Sequence, residues 1–102
     1  MRLSVIEKKN ILATFKIFSA PNAKIYLFGS RTDDNKKGGD IDLLIVFANS
    51  AAKLSFKRLD FIVELTKKNG ERKVDVTLAA EDELTNDVFL MSVMDSAVEI
   101  VA

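Results

Sequence analysis

The stretch Asp40-Ile41-Asp42-Leu43-Leu44-Ile45-Val46-Phe47 constrains the fold more than any other part of the chain. It resumes regular structure after the turn-forming Gly38-Gly39, ends in an apolar run, and reads as a β-strand. Two further segments supply neighbours for it. Ala23 to Phe28 is short, apolar and closed by Gly29, as a buried strand is, and Lys73 to Leu78 alternates polar and apolar side chains, as a half-buried one does.

Between the strands lie segments of helical period. Ser4-Val5-Ile6-Glu7 matches a capping box, after which Ile11, Leu12, Phe15 and Phe18 form one apolar stripe and Pro21-Asn22 stops the helix. Ala51 to Asn69 is expected as a second long helix, with Leu54, Phe61, Ile62 and Leu65 on one face. Lys67-Lys68 sit at its negative end, and Gly70 stops it. Glu81-Asp82-Glu83 offers negative charge to a third helix start, and Leu84, Val88 and Met91 follow at helical spacing to about Met94. Ala97 to Val101 fits a short final strand or an extension of that helix. Arg31 to Gly39 is a polar loop. The expected class is α/β (α+β), one domain over 1–102, because 102 residues with 48% hydrophobic and 29% charged side chains suit one shared core.

Composition narrows the chemistry. Fifteen basic and fifteen acidic residues cancel, so no global positive field recruits polymeric nucleic acid or an anionic membrane surface. There is no Cys and no His, which removes thiolate nucleophiles, sulfur- or imidazole-ligated metals and the usual general base. Any reaction must run on carboxylates, hydroxyls, Lys and Arg. No apolar run approaches the ~20 residues a bilayer span needs, and the N-terminus lacks the apolar core of a signal peptide, so a cytoplasmic location is expected.

Asp40 and Asp42 stand two residues apart at a strand entrance, and period two puts both on one face. Their repulsion is relieved by a hard divalent cation such as Mg²⁺ or Mn²⁺; solvation of a strand entrance is the alternative account. Upstream, Phe28-Gly29-Ser30 ends a strand in a turn where glycine allows close backbone approach to a phosphate and the Ser hydroxyl can hold it. Asp75, on the neighbouring strand between Val74 and Val76, faces away from the core with Lys73 and Thr77. It is the candidate third acid of a two-metal site, or a surface partner of Arg72 or Lys73. Arg31 is placed for phosphate contact or for an ion pair with Asp33 or Asp34, and Lys36 and Lys37 lie further along the same loop. Glu81, Asp82 and Glu83 read as helix-start charges rather than ligands. Tyr26 and the seven Phe read as core, with the apolar surface around Phe56 and Met91 available for a dimer or heteromer interface.

The joined string FGSRTDDNKKGGDIDLLIVF, followed by KVDVTLA, resembles the minimal nucleotidyltransferase family of the DNA polymerase β superfamily over about Ala23 to Leu78. The closing VMDSAVEIVA also looks like that family's last helix and strand. The sequence departs from the pattern in a slightly shorter polar loop and in Gly39, where Ser or Thr is frequent. The resemblance implies a polymerase β-like fold with a small mixed sheet and helices packed on it. It implies that Gly29, Ser30 and Arg31 bind a nucleoside triphosphate, and that Asp40, Asp42 and Asp75 hold two Mg²⁺ ions and carry catalysis. The implied reaction moves AMP from ATP to a hydroxyl. Many members are antitoxins that adenylylate a tyrosine of a HEPN-domain toxin, so a HEPN-type partner is expected with it. A non-catalytic nucleotide- or partner-binding module, and a small-molecule nucleotidyltransferase, are the competing expectations.

Overall fold

A computed structural model describes residues 3–18, 22–29, 40–70 and 73–101. The elements run α1 (Val5–Phe18), β1 (Lys24–Phe28), β2 (Ile41–Phe47), α2 (Ser50–Ser55), α3 (Arg58–Asn69), β3 (Val74–Ala80), a 3-10 helix (Glu81–Thr85), α4 (Val88–Ser96) and β4 (Val98–Glu99). The four strands form one mixed sheet in the order β3-β2-β1-β4. β1 is antiparallel to both β2 and β4, whereas β2 and β3 are parallel. A parallel pair needs a crossover long enough to return the chain, and α2 with α3 provides it. This is a mixed α+β architecture, a small mixed sheet with helices packed on it, as the sequence leads one to expect.

Side-chain alternation divides the sheet into two covered faces. Ile25, Leu27, Ile41, Leu43, Ile45 and Phe47 point to one of them, where they pack with Ile11 of α1 and with Phe61 and Leu65 of α3. Leu44, Val46 and Ala79 point to the other, beneath Leu90 and Val93 of α4. Residues 43 to 47 are therefore buried on both sides, which explains the unbroken apolar run in β2.

The helix starts obey local chemistry. At α1 the Ser4 hydroxyl accepts from the Glu7 N–H at 3.0 Å, and the Glu7 carboxylate accepts from the Ser4 N–H at 3.1 Å, which is the expected capping box. Gly70 ends α3 with a positive φ of 81° and donates its N–H to the Thr66 carbonyl. Pro21 lies outside the described residues.

Two expected helices are broken. The single helix over 51–69 is two, because Phe56 adopts extended backbone (φ −72°, ψ 130°) between α2 and α3. The break turns the Phe56 ring into the core, with centroids 5.2 Å from Phe47 and 5.6 Å from Phe61. Leu54, expected on the buried face, is 84% exposed instead, and Phe56 is half-buried against the core, in keeping with the core reading of the Phe residues. The expected helix from 81 to 94 likewise divides. Asp87 caps a new start by accepting from the Leu90 N–H at 3.2 Å, which resets the helical phase so that Leu90 and Val93 are buried and Val88 is 82% exposed. Glu83 has the helix-start role expected of it: its carboxylate accepts from the Ala80 N–H at 2.8 Å and from Lys53 Nζ at 2.7 Å. The tail settles as strand, with Tyr26 opposite Glu99 and Leu27 opposite Val98.

Candidate active site

The carboxyl end of β1 meets the amino ends of β2 and β3 because β1 runs against both. At that edge of the sheet Phe28 is opposite Asp42, and Asp42 is opposite Asp75. Alternation puts Asp42 and Asp75 on the face that carries Leu44 and Val46, but beyond the part that those residues bury beneath α4. The same strand thus supplies core at one end and an acidic surface at the other. Asp42 is its half-buried exception, Asp40 precedes it exposed, and the Asp75 side chain is 51% exposed.

Gly29 is tied to Asp42. Its φ of +78° is a backbone conformation that L side chains rarely adopt. A Cβ built there would stand 2.5 Å from Asp42 Oδ2, so the space a side chain would fill belongs to that carboxylate. Glycine was expected at this turn for approach to a phosphate; the structure adds that it makes room for Asp42. Ser30, Arg31, Lys36, Lys37 and Arg72 lie outside the described residues.

The acidic residues act on one another through space. Burial raises the Asp42 carboxyl above its ordinary value of 3.8, the charges of Asp75 and Asp40 raise it further, and Lys73 pulls it down. Yet among the described residues no group of three acidic side chains is drawn together as a ligand set. Asp75 is engaged elsewhere: its Oδ2 lies 3.8 Å from Lys73 Nζ, the surface pairing weighed as its alternative role. The donor chemistry still fits a hard divalent cation. The oxygens are all carboxylate, and the repulsion raising Asp42 is what such an ion relieves.

Two neighbours of the acids gain weight from the register. Phe28 sits beside Asp42 and packs half-buried against the cluster under α4, a placement legible only once β1 and β2 are paired. Lys73 is held next to the acids by its backbone, since its carbonyl accepts the Ile41 N–H at 2.9 Å.

The family model for the nucleotidyltransferase domain matches residues 8–100. The chain belongs to that family. The match runs from within α1 through β4 and supports the polymerase β-like nucleotidyltransferase superfamily, hence a transferase of nucleotidyl groups acting on a nucleoside triphosphate. No curated protein matches the chain. Among the described residues, no helix of this nucleotidyltransferase domain is long and apolar enough to cross a membrane.

Proposed function

We propose that residues 1–102 act as a metal-dependent adenylyltransferase domain that moves AMP from ATP to a hydroxyl acceptor, with a tyrosine of a HEPN-type partner protein as the acceptor. The observation that carries this reading is the pairing of Asp42 with Asp75 on adjacent parallel strands, with Gly29 turned under the Asp42 carboxylate. It supports the assignment of Asp40, Asp42 and Asp75 as the residues that would hold two Mg²⁺ ions. Gly29, Ser30 and Arg31 are assigned to the triphosphate on the sequence motif.

The chain's own contributions follow from its donors. Bound divalent cations would neutralise charge on the α-phosphate and lower the pKa of the acceptor hydroxyl. Gly29 lets the Asp42 carboxylate lie close over the backbone at the end of β1, beside the motif assigned to the triphosphate. The acceptor oxygen forms a bond to the α-phosphorus as the bond to pyrophosphate breaks, and its proton passes to a carboxylate, the role assigned to Asp75. The chain holds no imidazole to do this instead.

A contact-only mode of partner neutralisation draws on a different observation. Val88 (82% exposed), Phe89 (57%) and Met91 (49%) are apolar and uncovered on α4. The two readings separate in one experiment: labelled ATP, Mg²⁺ and the protein encoded beside this one are incubated with wild type and with Asp42→Asn. Transfer of label by wild type and its loss in the variant is the expected result. Neutralisation that persists in Asp42→Asn with no label on the partner would refute transfer as the mode of action.

A further inference from the structure

Lys73 is the one basic side chain among the described residues that ion-pairs with a member of the acidic cluster. Its position is fixed by the fold rather than by the weak pairing itself. The Lys73 carbonyl takes the N–H of Ile41, the residue between Asp40 and Asp42, so its Cα is anchored to the strand that carries those acids. Its ammonium then lies 3.8 Å from Asp75 Oδ2, and its charge opposes the effect of Asp75 and Asp40 on Asp42. The lysine side chain is 68% exposed, so nothing packs it into that position and its departure costs little burial.

We propose that Lys73 is a tethered counter-ion of the metal site, which occupies Asp75 in the metal-free protein and must be displaced for the third carboxylate to join a divalent ion. The inference rests on the metal-site reading above. It explains why three acids that share a field are not gathered as ligands: one of them already has a cation. A monovalent ammonium on a flexible stem offsets part of the repulsion without filling the site, and it leaves when a divalent ion, with twice the charge and shorter contacts, arrives. Lys73 therefore stabilises the empty protein at the expense of metal affinity.

The test is Mn²⁺ binding followed by electron paramagnetic resonance, without nucleotide, in wild type, Lys73→Met, Lys73→Arg and Asp42→Asn. Removing one positive charge several ångströms from a divalent ion in a largely solvated site tightens binding by about three- to tenfold, so Lys73→Met is expected to bind Mn²⁺ more tightly by that factor. Lys73→Arg keeps the charge and is expected to stay within about twofold of wild type. In EDTA, Lys73→Met melts below wild type, and saturating Mn²⁺ removes the difference. Equal or weaker Mn²⁺ binding by Lys73→Met overturns the proposal while leaving the metal site standing. Mn²⁺ binding that is absent in wild type, or unchanged by Asp42→Asn, overturns the metal-site reading and the proposal with it.

Discussion

Replacing Gly29 by Ala perturbs the site through two separable physical effects. The first is backbone: at φ +78° an L-residue pays about 1–2 kcal/mol that glycine does not. The second is contact: the new Cβ meets Asp42 Oδ2 at 2.5 Å, so the carboxylate must swing from its rotamer, at about 0.5–1.5 kcal/mol. Against these, alanine restricts the unfolded chain and returns about 0.4–1 kcal/mol. The net loss is on the order of 1–2 kcal/mol, or about 5–15 °C in Tm for a domain of this size. Urea unfolding in EDTA measures it. The contact component is isolated by a double-mutant cycle with Asp42→Ala, which takes the carboxylate away. In that background Gly29→Ala should cost about 0.5–1.5 kcal/mol less than in wild type. Equal costs in both backgrounds, within about 0.3 kcal/mol, would show that Asp42 does not lie over Gly29 and would remove the geometric link between the two motifs.

Asp42→Asn tests the electrostatics of the same site. A carboxyl raised in the folded state contributes stability below its unfolded value of 3.8 that is lost as pH rises through the folded value, so at neutral pH ionised Asp42 is a liability. The variant should be more stable than wild type in EDTA at neutral pH, and the gain should vanish in melts below pH ~3.8. Glu83 has the opposite sign: the Lys53 hydrogen bond, then the Ala80 N–H, hold its carboxyl below 4.5. Its contribution is present above 4.5 and lost as pH falls through the lower folded value, so a Glu83→Gln variant should show a shallower fall in urea midpoint across that acid range. The break between α2 and α3 is checked by paired truncations. Phe56→Ala, which empties a site between Phe47 and Phe61, should cost about 2–3 kcal/mol, and Leu54→Ala, at an exposed position, should stay within about 0.5 kcal/mol; similar costs would restore the continuous helix.

What was legible in the sequence followed from short-range periodicity. The strands, the capping box at Ser4 and Glu7, and the stop at Gly70 each depend on residues within one turn or one pleat of one another. The two helix breaks were not legible, because the reason for each lies far along the chain. Phe56 leaves the helix to reach Phe47 and Phe61, and Asp87 restarts one so that Leu90 and Val93 can cover Leu44 and Val46. At the site, the residue types and their faces could be read, and Asp75 was correctly placed opposite Val74 and Val76. Its pairing with Asp42, and the Asp42 carboxylate in the space over Gly29, depend on strand register, which spacing within one segment does not encode.

That register is where fold and site are joined. Asp42 meets Asp75 because Ile41 meets Val74 and Leu43 meets Val76 in the core beneath. A slip of one residue between β2 and β3 would keep the hydrogen-bonding capacity of the strands but turn one strand over, driving Asp42 towards Ile25 and Phe61 and leaving Leu43 in water. Burying an unpaired carboxylate and exposing a run of aliphatic side chains would each cost several kcal/mol, more than a small domain can lose. A slip of two would preserve the faces, yet it would set Asp42 against Lys73 or Thr77 and separate the acids. The parallel pairing would resist that as well, because Phe47 and Ala80 mark matched ends of the two strands. The repulsion between Asp42 and Asp75 is therefore sustained by burial further along the same strands. The acids cannot drift apart without unfolding the core that holds them, which is how a small chain keeps two like charges adjacent.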